Sequence, residues 1–205
     1  MNITFPLLSA FAGGAAGWFV VWIVDRTAVN SARKRKQLEL ILATSASALL
    51  LLALALRFKE PGIRFFVYGA LVLALVGVTL FDLRTRIIPH VVTIPGTIAG
   101  LIAGSFILPS GIRESMLGLL VGGGVLMFAT LFETIRKKEI GGGDWKYAAM
   151  IGSFIGPQRI VVALILTGIF GALGGIALAA SGAHARPHAL GPWLSAGAVV
   201  SILLG

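Results

Sequence analysis

Two aspartates in this 205-residue chain stand where long apolar runs end. Asp82 closes a run in "VTLFDLRTRIIPH", and Asp144 follows three consecutive glycines in "EIGGGDWKYAAM". An ionised carboxylate at hydrocarbon depth costs about 2.5–3.5 kcal/mol or more, and such residues typically mark function. A helix cap or an ion pair with a nearby arginine explains one such aspartate more easily than two.

Two carboxylates held a few ångströms apart can activate water. They cannot both ionise easily, so the pair shares a proton and titrates as a unit. The ionised member can take a proton from water while the protonated member polarises a peptide carbonyl, with no metal and no covalent nucleophile. If Asp82 and Asp144 converge, the pattern predicts an aspartyl endopeptidase.

The glycines before Asp144 fit the same chemistry. Gly141, Gly142 and Gly143 permit backbone angles that a Cβ forbids, and they let another backbone come close to Asp144. A peptide substrate must be extended, because a helix holds its scissile carbonyl in its own hydrogen bonds. We therefore expect the three glycines to position the substrate.

The composition requires a membrane protein. The chain is 57% hydrophobic and only 12% charged, whereas a soluble domain needs far more polar surface. We predict an all-α, polytopic helical bundle forming a single domain over residues 1–205. A span needs about 20 apolar residues, and eight apolar runs fit: 4–24, 38–56, 65–81, 91–109, 115–135, 147–157, 160–180 and 189–205.

One of these runs, 147–157, is short and is closed by Gly156-Pro157. It either spans the membrane or is a re-entrant or partly buried segment, and both alternatives stay open. Glycines also recur at four-residue spacing within the runs, which lets helix backbones approach closely in lipid. These pairs are Gly13/Gly17, Gly100/Gly104, Gly118/Gly122, Gly152/Gly156 and Gly171/Gly175.

The basic residues predict the orientation. With eight spans and the N-terminus outside, the four cytoplasmic loops hold 12 of the 17 Lys and Arg residues, as expected when positive charge accumulates inside. Two spans separate Asp82 from Asp144, so both face the cytoplasm. The net charge of +9 and the "RKRK" run are then topology anchors against membrane lipid, and no nucleic-acid partner is expected.

The remaining polar residues suggest ordinary roles. Asp25 beside Arg26 is expected to form a helix-end ion pair, and Glu39 is expected to be solvated. The chain has no cysteine, which excludes disulfides and a Cys-ligated zinc. A metal site is not expected from the three histidines, because they are far apart in sequence and lie in loops: His90, His184 and His188.

The residues around the two aspartates resemble a known family. "DLRTRIIP" resembles the first aspartate motif of the type IV prepilin peptidases, in which six residues separate the aspartate from a proline. "GGGDWK" resembles their second motif, Gly-x-Gly-Asp-x-Lys, part of which is shared with other intramembrane aspartyl proteases. Weaker similarity in "GWFVVWIVDR" and "HALGPWLSAGA" extends the resemblance over nearly the whole chain.

The resemblance implies a site and a substrate. Asp82 and Asp144 would be the catalytic pair, with Lys146 and Pro89 among the substrate-positioning residues. Lys146 would hold Asp144 ionised or orient the substrate's carboxylate. The substrate would be the basic leader of a prepilin or pseudopilin, as in type IV pili or type II secretion. It would be cut after a glycine, at the cytoplasmic side of the inner membrane.

The sequence departs from the family in ways that bear on a second activity. Many members carry a long loop after the first span with paired cysteines that bind zinc, but here that loop has about a dozen residues. Val21 replaces an asparagine, and His90 stands where Asp or Asn is usual. Bacterial members often methylate the product with S-adenosylmethionine through their N-terminal half. The short loop argues against methylation, so we expect no cofactor unless that activity is retained.

Two other classes of protein remain open. A small transporter would use Asp82 and Asp144 to couple protons or cations, and would place them near the bilayer midplane. A non-catalytic assembly scaffold would tolerate Asp→Asn changes at both positions. The sequence leaves the particular substrate and the oligomeric state open.

Overall fold

The protein is helical throughout its described residues. The structure is a computed structural model, and it describes residues 4–27, 33–109, 111–135, 142–180 and 189–204. These ranges form seven helices: α1 (Thr4–Thr27), α2 (Arg33–Phe58), α3 (Ile63–Thr85), α4 (His90–Phe106), α5 (Gly111–Ile135), α6 (Asp144–Ala180) and α7 (Gly191–Leu204). The described ranges contain no strand, which suits lipid because a helix satisfies its own backbone groups. The predicted all-α fold is confirmed.

Five of the helices are long and apolar enough to cross a membrane: α1, α2, α3, α5 and α6. The other two, α4 and α7, are shorter apolar helices. The prediction of a polytopic helical bundle is confirmed, whereas the count of eight spans stays a prediction.

The chain folds as two compact units, Met1–Arg86 and Ile87–Gly205. The first unit contains α1 to α3, and the second contains α4 to α7. The single domain predicted over residues 1–205 stays a prediction.

In the first unit, α1 packs closely on α2 through two glycines. A Cβ on Gly13 would lie 2.7 Å from the Ser47 carbonyl oxygen, and one on Gly17 would lie 2.7 Å from Ser47 Oγ. The packing role predicted for these glycines is therefore confirmed, since even an alanine would force the helices apart. α3 packs against both α1 and α2.

In the second unit, α6 reverses direction at Gly156. A Cβ on Gly122 of α5 would lie 2.5 Å from the Ala148 carbonyl oxygen and 2.9 Å from Ile160 Cγ1. Those two residues would be about 18 Å apart on a straight helix, so the chain must fold back between them. Gly156, with φ 78° and ψ 175°, is the non-helical residue where it does so. It separates a first arm (residues 144–155) from a second arm (residues 157–180).

The first arm is the centre of the second unit. All ten residues from 147 to 156 are buried, with α4, α5 and α7 packed against α6. The arm's 12 residues rise about 18 Å, less than the roughly 30 Å of hydrocarbon in a bilayer. By length alone the first arm fits the re-entrant or partly buried alternative, while the second arm is long enough to span.

Candidate active site

Asp82 lies in the last turn of α3 and is only 3% exposed. Helix α3 ends because Arg86 adopts a left-handed conformation, φ 55°, and donates its backbone N–H to the Asp82 carbonyl oxygen over 2.8 Å. The chain then passes through Ile87 and Ile88 to Pro89, which caps the start of α4 in an extended conformation. The apolar run that Asp82 closes therefore ends together with its helix.

Arg84, two residues after Asp82, binds carboxylates from two other helices. Its Nη1 lies 2.6 Å from Asp25 Oδ1, and its Nε donates to Glu39 Oε2 over 2.8 Å. Nη2 is also 2.6 Å from Glu39 Oε2, but it is not aligned to donate a hydrogen bond to that oxygen. The Arg84 side chain is 7% exposed, and the carboxylates of Asp25 and Glu39 compensate its charge within the first unit.

This arrangement corrects two sequence predictions. Asp25 was expected to pair with Arg26, and Glu39 was expected to be solvated, yet both bind Arg84. Arg26 instead lies over the Trp22 ring, 4.1 Å from its centroid. We name Arg84, Asp25 and Glu39 the Arg84 cluster.

Asp144 is the first residue of α6 and is half-buried. A carboxylate there is favoured because the first turn of a helix presents unpaired N–H groups and a positive dipole end. The turn closes when Tyr147 donates its N–H to the Gly143 carbonyl oxygen over 3.0 Å. Asp144 therefore lies at the start of the first arm, three residues before its buried stretch begins at Tyr147.

Of the three predicted glycines, Gly142 and Gly143 are described, and Gly141 lies outside the described residues. Neither Gly142 nor Gly143 has a positive φ, so backbone conformation does not require a glycine at these two positions. Space is tight at position 143, where a Cβ would lie 3.0 Å from Ile88 Cβ and 3.6 Å from the Ile88 backbone N and O, so Ile88 would have to shift by a few tenths of an ångström to accept a side chain. Ile88, which precedes Pro89, thus packs on Gly143, which precedes Asp144.

Lys146 lies at the start of the first arm, with its Nζ 3.5 Å from His90 Nε2. A lysine ammonium can only donate, so His90 Nε2 must be the acceptor in this contact. Lys146 Nζ also lies 5.4 Å from the Trp145 ring centroid. Lys146 of the second motif and His90, which follows Pro89 of the first motif, are therefore in contact within the second unit.

Asp82 belongs to the first compact unit and Asp144 to the second. Their convergence into one acid pair stays a prediction, and so do the roles of Pro89, Lys146 and the glycines. A metal ion is also untested: the described residues hold no group of three or more His, Cys, Asp or Glu able to bind one, but His184 and His188 lie outside those residues.

Two parts of the site region were missed from the sequence. Arg84 was counted only among the 12 basic residues of the predicted cytoplasmic loops, although its position, two residues after Asp82, indicated a role near the predicted site. Tyr147, a polar residue at the start of an apolar run, shares a buried hydrogen bond with Ser195, with 2.7 Å between the two hydroxyl oxygens. A tyrosine hydroxyl in such a run needs a partner, and that requirement could have identified it.

Comparison with known proteins gives consistent matches. The model of the type IV leader peptidase family matches residues 66–176, a range that contains both Asp82 and Asp144. The prepilin leader peptidase/N-methyltransferase of Aeromonas salmonicida (strain A449) is 30% identical over 138 residues, covering 64% of this chain and 46% of that protein. The protein of the same name from Xanthomonas campestris pv. campestris is 34% identical over 134 residues, covering 62% and 47%.

A third relative of the same name, from Escherichia coli (strain K12), is 27% identical over 144 residues, covering 67% of this chain and 61% of that protein. The chain spans about half the length of the first two relatives. No solved structure matches it significantly.

Proposed function

The chain belongs to the type IV leader peptidase family, and we propose that it is a membrane aspartyl endopeptidase that cleaves type IV prepilins or pseudopilins. The observation that carries the proposal is the position of the two motif aspartates at helix ends. Asp82 lies in the last turn of α3, and Asp144 is the first residue of α6. Carboxylates at the ends of membrane-spanning helices lie nearer to the membrane surface, where a leader peptide would approach, than carboxylates at the middle of a span.

In the proposed reaction, Asp82 and Asp144 share one proton. The ionised carboxylate takes a proton from water as the water oxygen bonds to the scissile carbonyl carbon. The protonated carboxyl gives its proton to the carbonyl oxygen, which forms a neutral tetrahedral diol. The diol then collapses: one of its hydroxyls gives its proton to the ionised carboxylate, the C–N bond breaks, and the leaving amine takes the proton of the other carboxyl, so the pair again holds one proton. The basic leader and the mature pilin separate.

We assign substrate positioning to the turn before Asp144 and to the start of α4. Gly142 is exposed, and Gly143 lies against Ile88, so an extended peptide can approach Asp144 over a turn with little side-chain bulk. Lys146 stands at the same helix end, next to His90. Its ammonium would orient a substrate carboxylate or hold Asp144 ionised, while Pro89 sets the direction of α4.

We propose that the protein cleaves prepilins but does not methylate the product. The relatives are named as both leader peptidase and N-methyltransferase, but the aligned residues cover only 46% of the Aeromonas protein. Only five residues, 28–32, separate Thr27 at the end of α1 from Arg33 at the start of α2, and none of them is a cysteine. No cofactor is needed for the aspartyl mechanism. We place the site at the cytoplasmic face of the inner membrane, from the distribution of Lys and Arg.

The test is cleavage of a prepilin in membranes by Asp82→Asn and Asp144→Asn variants. Each change preserves size and removes the acid, so we expect both variants to lose cleavage, with Glu60→Gln in an exposed turn as the matched carboxylate control. The N-terminal sequence of the product would report the cut site and any methyl group. Retained cleavage in either aspartate variant would end the proposal. Silent changes at both would favour the scaffold alternative.

A further inference from the structure

A hydrogen bond between two buried hydroxyls joins the first arm to α7. Tyr147 has no exposed surface and Ser195 of α7 is 7% exposed. The Tyr147 hydroxyl oxygen lies 2.7 Å from Ser195 Oγ, and Ser195 Oγ lies 2.8 Å from the Gly191 carbonyl oxygen. The contact joins residues 48 positions apart in sequence.

The direction of these bonds follows from the number of protons. A carbonyl oxygen can only accept, so the single Ser195 hydroxyl proton goes to Gly191. Ser195 Oγ is then left as an acceptor, and the Tyr147 hydroxyl must donate to it. The chain therefore runs from Tyr147 through Ser195 to the first turn of α7, and each hydroxyl has a defined orientation.

The packing of the arm on its neighbours is close but less directional than a hydrogen bond. Ala148 and Ala149 lie against Gly122 and Gly123 of α5, and Met150 lies against Gly96 of α4. The energy of van der Waals contacts, such as those of the flexible Met150 side chain, changes gradually as the groups slide or rotate. A hydrogen bond does not tolerate this, because it weakens steeply as its angle departs from linear.

Tyr147 is three residues after Asp144, so the two side chains lie on neighbouring positions of the same helix face. A carboxylate reaching about 5–6 Å from the axis would move about 2 Å if the arm turned by roughly 20°. In an enzyme site, a misplacement of about 1 Å can lower the rate by about 100-fold. A contact that fixes the rotation of the first arm therefore also fixes the position of the Asp144 carboxylate.

We propose that Tyr147 and Ser195 are positioning residues for catalysis, whose hydrogen bond holds the first arm at the rotation that aims Asp144 at the scissile carbonyl. The inference rests on the proposed peptidase function. It assigns to two buried side chains, neither of which would touch substrate, a role in kcat.

The test measures kcat and KM for prepilin cleavage per mole of folded enzyme, in detergent or membranes. Tyr147→Phe removes one oxygen atom and keeps the ring, and Ser195→Ala removes the acceptor. We expect each to lower kcat by about 10-fold or more with little change in KM, because the substrate contacts are untouched. The double variant should be no worse than the worse single variant, since the same bond is lost.

The matched control is Ser153→Ala. Ser153 is equally buried in the same arm, but its hydroxyl donates to the Met150 carbonyl oxygen of its own helix over 2.7 Å. We expect its kcat to stay near wild type. A purely structural role for Tyr147 would lower the yield or thermal stability of Tyr147→Phe while leaving kcat per folded molecule unchanged, and that result would overturn the inference.

The outcomes separate this inference from the proposed function. Cleavage retained by Asp82→Asn or Asp144→Asn would refute the peptidase mechanism itself. Loss of cleavage in both aspartate variants, with Tyr147→Phe at wild-type kcat, would refute only the positioning role. If Ser195→Ala does not fold, Tyr147→Phe decides alone, because Ser195 keeps its bond to Gly191 in that variant.

Discussion

Arg84 Nη1 lies 2.6 Å from Asp25 Oδ1, so a buried guanidinium near the end of α3 is joined to the end of α1, while its Nε binds Glu39 of α2. Removing the cation alone would leave two carboxylates without their partner. Breaking a buried pair in this way costs about 3–5 kcal/mol, and the lower end applies here because the Asp25 and Glu39 side chains are 32% and 26% exposed.

We therefore expect Arg84→Met to lower the midpoint of thermal unfolding in detergent markedly. The neutral triple variant Arg84→Met, Asp25→Asn, Glu39→Gln should recover most of the loss, since no charge is left unpaired. Arg64→Met, at an exposed position at the start of α3, is the control. An Arg84→Met midpoint equal to that of Arg64→Met would show that the cluster does not stabilise the first unit.

Gly156 should not tolerate a side chain. Its φ of 78° with ψ of 175° falls in a region that is essentially restricted to glycine and costs other residues about 1–3 kcal/mol. Gly156→Ala should therefore destabilise the protein by that amount in thermal unfolding. Gly168→Ala, in the second arm with nothing within 4 Å of its added Cβ, should be neutral or slightly stabilising. Equal effects of the two changes would contradict the reversal at Gly156.

The turn before Asp144 contains a matched pair of glycines. A Cβ at Gly143 would lie 3.0 Å from Ile88 Cβ, whereas the nearest atom at Gly142 would be Trp145 Nε1 at 3.8 Å. We expect Gly143→Ala to lower the midpoint of thermal unfolding by displacing Ile88 and the start of α4, and Gly142→Ala to leave that midpoint near wild type. Identical midpoints in both variants would argue against a packing role for Gly143.

Much of the fold could be predicted because lipid imposes long apolar runs. The runs 4–24 and 65–81 lie within α1 and α3, and both aspartates stand at the predicted helix ends. Gly156-Pro157 correctly marked the boundary between two apolar segments. A reversal there was implied by the separate segments 147–157 and 160–180, whereas the backbone conformation of Gly156 and the packing of both arms against Gly122 were not predicted, because a Gly-Pro pair indicates a break but not its angle.

The partners of the charged and polar side chains could not be predicted, for a physical reason. Helices such as α1 and α3 are apolar nearly all round, so their sequences do not indicate which face points inward. Whether Asp25 meets Arg26 or Arg84 depends on the rotation of each helix about its axis. The bond between Tyr147 and Ser195 depends on rotation in the same way.

The most direct test of the account is whether positions 82 and 144 are neighbours in the membrane. The chain has no cysteine, so Asp82→Cys with Asp144→Cys provides a clean pair for oxidation or for a short bis-thiol reagent. A disulfide requires Cα atoms within about 4.4–6.8 Å, and a short reagent extends that reach slightly. We predict an intramolecular cross-link at high yield, and none for Asp82→Cys with Ser105→Cys at the other end of α4. No cross-link by either route, although both cysteines react singly with a thiol reagent, would contradict a shared aspartyl site.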